Sequence, residues 1–406
     1  MRRDSEEGQG WVRVKHPPAA AFFFVSDFLG GLTALAGRGR ISQRRHRRSV
    51  VRQVPLHETS VPSAHSGRYP QVPREKAMRR DPMPHGDDDT PRIYVIHEND
   101  AWLEPLRREF EAQGVPYAEW FLDRGTLDLG AEPPAGVFYN RMSASSHTRD
   151  HRYGAEYAGA VLAWLARHGR RVANGERALQ LEISKVAQYE ALARCGIPSP
   201  PTIAVIGKEN IPGAAARLGF PLILKHNRGG KGLGVRLFLS APALAEYLPS
   251  PDFAEPVDGI TLVQRYIRAP EPFITRVEFV GGRFFYAVRV DTSQGFELCP
   301  ADACQVDATA CPAEAPGDKF QILSEFGHPL IPRWGAVLAA NGIDVAGVEF
   351  IVDEGGQPFT YDINTNTNYN SEAEAKDGRR GMGETARYLG RLLAEARQAP
   401  TEALVR

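Results

Sequence analysis

The chain has 406 residues, 42% of them hydrophobic and 24% charged, the balance of an ordinary globular protein with room for two or three domains. Its 49 Lys and Arg match 49 Asp and Glu, which speaks against a dedicated nucleic-acid binder, and four cysteines over this length exclude a disulfide-stapled scaffold. The apolar run Ala21–Ala36 is shorter than the roughly 20 residues a membrane span needs and carries Asp27, so no membrane partner is expected.

The first ninety residues hold 16 Lys and Arg against 10 Asp and Glu, with an arginine cluster at Arg44–Arg48 and scattered prolines from Pro55 to Pro84. Without a sustained hydrophobic period such a stretch cannot bury enough apolar area to offset its ordering entropy. It reads as a disordered extension, or as upstream sequence taken in by a wrong start, with Met78 or Met83 as the true first residue.

Folded sequence starts at Pro91. Arg92–His97 is rich in β-branched and aromatic residues and predicts a strand. Leu103, Leu106 and Phe110 fall three and four apart, which predicts a helix over Trp102–Gln113, stopped by Gly114. Val115–Leu122 and Gly136–Asn140 follow as strands, Tyr157–Arg167 as a helix and Arg171–Asn174 as a strand. That alternation predicts a small α/β layer with a parallel sheet over 91–176. No glycine fingerprint follows the first strand, so a dinucleotide site is not expected there. Arg141 and Ser143 sit in a polar patch directly after a strand, where such sheets bind ligands, and are candidates for holding a carboxylate; a merely exposed loop is the competing reading.

Leu179–Gly196 predicts one amphipathic helix with Lys185 near its start. After a Pro-rich turn come a strand from Thr202 and a short helix, Ile211–Leu218. Phe220–Leu237 is a glycine-rich hairpin: a strand ends at Lys225, and Gly229, Gly230, Gly232 and Gly234 fill the connection around Lys231. Glycines let backbone N–H groups approach phosphate oxygens, and Lys225 can present an ammonium to the same group. The segment lacks the Gly-Lys-Ser/Thr of a P-loop.

Thr261–Ile267 predicts a strand, and Ile274–Val280 with Arg283–Val290 a hairpin over Gly281-Gly282. A second hairpin joins Ala346–Asp353 to Pro358–Asn364. Glu349 and Asp362 sit among apolar strand residues, and Asn364, two residues on, shares a face with Asp362. Two carboxylates and a carboxamide are a hard, all-oxygen set suited to Mg²⁺ or Mn²⁺; acids on a solvated face are the other reading. The cysteines Cys299, Cys304 and Cys311, spaced C-x4-C-x6-C, fit no common zinc or iron–sulfur pattern.

Taken in order, a lysine on a helix, a lysine before a glycine hairpin, a hinge strand, a hairpin with two arginines, and an acid followed by acid-x-Asn resemble the ATP-grasp superfamily of carboxylate–amine ligases. Over about Pro91–Arg397 the chain most resembles the branch of bacterial glutathione synthetases and ribosomal-protein glutamate ligases. The resemblance implies an α/β (α+β) ATP-grasp fold: a pre-ATP-grasp domain over 91–176, a lid subdomain over 177–267, and a metal and substrate subdomain over 268–398. It implies that Lys185 and Lys225 contact the α- and β-phosphates of ATP, and that Gly229–Gly234 form a mobile lid. Gln264, Arg265, Tyr266 and Ile267 would hold adenine, Glu271 the ribose, and Glu349, Asp362 and Asn364 two Mg²⁺ ions. Arg276 and Arg289 would hold the acyl-phosphate or an acceptor carboxylate.

The implied reaction joins a small-molecule or peptide carboxylate to an amine through an acyl-phosphate, releasing ADP and phosphate in the cytoplasm, with a homo-oligomer compatible with it. Three alternatives stand beside it: a glutamate-type ligase acting on a protein or peptide tail, an ATP-binding module without turnover, and a metal or redox protein built on the cysteine cluster. Relatives usually carry Glu where Gln264 stands, and a small residue with a Pro-Gly turn where this chain reads Thr365-Asn366-Thr367-Asn368. Asn366 and Asn368 are therefore candidates for substrate contact, against the reading of an asparagine-rich turn.

Overall fold

A computed structural model describes residues 90–230, 232, 234–293, 295 and 319–398. The readings made on residues 1–89, Lys231 and the three loop cysteines lie outside these. Among the described residues no helix is long and apolar enough to cross a membrane.

Three sheets organise the described residues. The first contains β1 (Arg92–His97), β2 (Tyr117–Phe121), β3 (Gly136–Asn140) and β4 (Arg171–Ala173), all parallel, in the order β2-β1-β3-β4. Alternation along the strands divides its faces. Ile93, Val95, Val137 and Tyr139 pack against the helix Asp100–Gln113 and the last helix, Gly381–Gln398. Tyr94, Ile96, Phe138 and Trp120 pack against the helix Gly154–Arg167. Gly114 ends the first helix in the left-handed region, φ 63°, as the sequence predicts.

The second sheet is antiparallel: β5 (Thr202–Ile206), β6 (Leu222–His226), β7 (Arg236–Phe238) and β8 (Ile260–Arg265), ordered β5-β8-β6-β7. Its apolar face is covered by the helices Ile211–Leu218 and Ala241–Tyr247. The glycine-rich segment is the β6–β7 connection.

The third sheet runs β11-β10-β9-β12-β13, antiparallel, from β9 (Phe273–Val280), β10 (Arg283–Asp291), β11 (Phe320–Leu323), β12 (Val345–Val352) and β13 (Pro358–Asn364). Val277, Phe279, Val348, Phe350 and Ile363 point into a core closed by the helix Ile331–Ala340. By the period of two, Arg276, Glu278, Gly347, Glu349, Asp362 and Asn364 occupy the other face.

One sequence expectation is corrected. The single helix over Leu179–Gly196 is two helices, Glu176–Glu182 and Lys185–Arg194. Ser184 is extended (φ −145°, ψ 107°), and its hydroxyl accepts from the Ala187 N–H, capping the second helix. Apolar spacing runs through the break unchanged, so periodicity alone does not reveal it.

Candidate active site

Lys185, Lys225, Glu349, Asp362 and Asn364 come from four separate stretches of sequence and line one cleft between the second and third sheets. Lys185, first residue of its capped helix, donates to Asp362 Oδ1 at 2.8 Å. Glu349 stands directly across from Asp362 in the β12–β13 ladder and takes an Asn364 Nδ2 hydrogen bond at 3.3 Å. Burial pushes the Glu349 carboxyl up, against the pull of Arg276.

Lys225 is 5% exposed, and among the described residues its ammonium donates only to the Tyr189 hydroxyl, at 2.7 Å. Burial, with Lys185 nearby, brings its pKa down to about 7. A buried ammonium without a carboxylate in hydrogen-bonding reach is costly unless an anion completes the site. Tyr189 lies one helical turn after Lys185, on the same face, and also accepts from Gln264 Nε2 at 2.9 Å while donating to the Tyr361 carbonyl at 3.1 Å. Gln264 Nε2 further donates to the Thr202 hydroxyl at 2.7 Å. Both bonds use the amide nitrogen, so the Gln264 oxygen remains as an acceptor on the cleft wall beside Arg265, Tyr266 and Ile267.

Gly229, Gly230 and Gly232 line the same cleft, and Gly232 and Gly234 have φ of 74° and 76°, which a side chain rarely adopts. Arg276 donates to Glu278 at 2.5 Å, Glu349 at 2.8 Å and the Thr367 hydroxyl at 2.5 Å. Its guanidinium lies over Gly347, where a Cβ would come within 2.5 Å of Nη2.

Arg289, Glu271 and Arg141 fall elsewhere. Arg289 pairs with Thr275 in the ladder, so it leaves the sheet on the face opposite Arg276; it bonds Glu271 at 2.8 Å, and neither lines the cleft. Arg141 is buried behind the cleft wall and bonds Asn366, Thr367 and Asn368, while Ser143, Asn366 and Asn368 line the cleft itself. Sequence reasoning missed Glu182, which accepts from the backbone N–H of Ala144 and Thr365, and gave Tyr189 only an apolar role. Tyr189's spacing of four from Lys185 was a usable signal.

The donor set fits a magnesium-bound nucleotide. The carboxylates of Glu349 and Asp362 and the carboxamide of Asn364 line the same cleft as the buried ammonium of Lys225.

No family model matches the chain. Human β-citrylglutamate synthase B is 26% identical over 212 residues, 52% of this chain and 50% of that protein. D-Alanine–D-alanine ligase of Laribacter hongkongensis is 26% identical over 171 residues, 42% of this chain and 52% of its own. The chain thus spans about half the length of the curated relatives it matches. Among solved structures, the ATP-grasp ligase PsnB, complexed with a minimal precursor, Mg and ADP, superposes with a TM-score of 0.53 at 17% identity, covering 76% of this chain and 98% of that one. With its glycine hairpin and acid-bearing sheet facing one cleft, the chain has the ATP-grasp fold.

Proposed function

We propose that this protein is an ATP- and Mg²⁺-dependent ligase that joins a carboxylate to an amine and releases ADP and phosphate. The observation that carries the reading is the buried Lys225 ammonium, without an acid partner in hydrogen-bonding reach among the described residues, on the wall of the cleft that holds Glu349 and Asp362. A triphosphate chelated by magnesium supplies the negative charge that Lys225 lacks, and its cation would join Lys185 and Arg276 in neutralising Asp362 and Glu349.

In this reading Lys185 and Lys225 hold phosphate oxygens, and Gly229, Gly230 and Gly232 of the glycine loop offer them backbone N–H groups. The Gln264 oxygen accepts from the adenine amino group. Glu349, Asp362 and Asn364 would hold Mg²⁺, which neutralises phosphate charge so that a carboxylate can approach the γ-phosphate. Arg276, fixed by Glu278 and Glu349, presents a positive edge to the acyl-phosphate that results. The amine then displaces phosphate, and the covered cleft keeps water away.

The substrates are proposed to be small molecules or peptides. The names of β-citrylglutamate synthase and D-alanine–D-alanine ligase describe small products, whereas PsnB is also solved with a precursor peptide, PsnA2.

The test is ADP formation by the full chain over a matrix of carboxylic acids, amino acids and dipeptides, with and without Mg²⁺. Formation of ADP that needs Mg²⁺, an acid and an amine together is expected. ADP formation independent of both organic partners would overturn the ligase assignment.

A further inference from the structure

The loop after β13 places Asn366 and Asn368 in the cleft wall, and their orientation follows from chemistry. A guanidinium has five N–H donors and no acceptor. Arg141 Nε donates to Asn366 Oδ1 at 2.9 Å, and its Nη2 donates to Asn368 Oδ1 at 2.9 Å and to the Thr367 carbonyl at 3.0 Å. Both amides must turn their oxygens to Arg141, and both NH₂ groups are thereby directed away from it. Neither Nδ2 has a hydrogen-bond partner among the described residues, and neither is sealed from solvent. The wall therefore shows the cleft two fixed donors. Behind them, Arg141 is 3% exposed and has no carboxylate partner among the described residues, so its charge adds a positive potential at the same spot.

We propose that Asn366 and Asn368 form a subsite for a carboxylate of the substrate, and that Arg141 is its positioning residue. The inference rests on the ligase reading in calling the occupant a substrate. An amine is disfavoured at this spot, because its N–H groups would meet N–H groups and lose their water without a new acceptor. The carboxylate held here is then distinct from the amine that attacks, and the substrate bound in this part of the cleft is one that carries an acidic group.

The probe is glutarate, compared with its uncharged diamide, glutaramide, on the full chain saturated with Mg²⁺ and ADP. Asn366→Asp and Asn368→Asp identify the two side-chain NH₂ signals in the spectrum of protein carrying ¹⁵N-asparagine. Each Asp can still accept from Arg141, so both variants are expected to melt no lower than the parent. Addition of glutarate is expected to shift both assigned NH₂ pairs, with glutaramide at least tenfold weaker. The proposal is overturned by NH₂ signals that stay in place under saturating glutarate, by equal response to the diamide, or by no binding of glutarate. Failure of ADP itself to bind would overturn the ligase reading instead, and the glutarate comparison without nucleotide would still decide the subsite.

Discussion

Gly347→Ala should destabilise the protein although it adds one methyl group. The new Cβ would lie 2.5 Å from Arg276 Nη2 and 2.7 Å from both Cζ and Nε, closer than carbon and nitrogen can approach. A long arginine would normally swing aside, but this guanidinium is held by Glu278, Glu349 and Thr367. Moving it sacrifices at least one hydrogen bond to a charged group in a buried setting, roughly 1.5–3 kcal/mol. Strain from overpacking adds on the order of 1 kcal/mol. The expected loss is about 3 kcal/mol, read as a drop in melting temperature of roughly 5–10 °C. Gly335→Ala is the control: it lies within the helix Ile331–Ala340, and a Cβ there meets no atom within 4 Å. That change should stabilise by about 1 kcal/mol through helix propensity. Thermal unfolding followed by circular dichroism compares the two. A Gly347→Ala midpoint within 1 °C of the parent would refute the account of Arg276 as pinned.

Glu374 accepts from the Tyr286 hydroxyl at 2.7 Å and the Gly381 N–H at 2.5 Å, and burial raises its pKa from 4.5 to about 7. The neutral form is favoured in the folded state, so stability should fall as pH rises from about 4.5 to about 7, by on the order of 3 kcal/mol at most. Glu374→Gln should be more stable than the parent at pH 7.5 and equal to it at pH 4.5 in urea unfolding; a constant difference between them would contradict this. Ser184→Ala removes the cap that starts the Lys185 helix and should cost about 1 kcal/mol. It should also weaken Mg·ADP binding several-fold by calorimetry, because Lys185 loses its fixed first-turn position; unchanged affinity would show that the cap does not set the lysine.

Much of this architecture was legible because side-chain period and sheet face coincide. Arg276, Glu349, Asp362 and Asn364 alternate with apolar neighbours, and the ladder register puts them on one face. The parallel first sheet was legible because strands alternate with helices over 91–176, which leaves parallel neighbours joined by crossover helices. What escaped depends on contacts distant in sequence. Arg141 and Asn366 are 225 residues apart, so a positive side chain that reads as a substrate ligand turns out to hold two amides. Arg289 escaped by a parity of one: in β10 it neighbours Val288, which pairs with Arg276, and therefore faces the other way. The split at Ser184 escaped because capping is a local hydrogen bond and leaves no trace in apolar spacing.

The central claim is that Lys225 and the Glu349–Asp362 pair bind a magnesium nucleotide between them. Calorimetric titration of the full chain with ADP, with and without Mg²⁺, tests it on the parent, Lys225→Met and Asp362→Asn. The account predicts that Mg²⁺ strengthens binding at least tenfold in the parent, that Asp362→Asn removes the magnesium effect, and that Lys225→Met weakens binding in both conditions. Equal ADP affinity in all three proteins, with or without Mg²⁺, would contradict it.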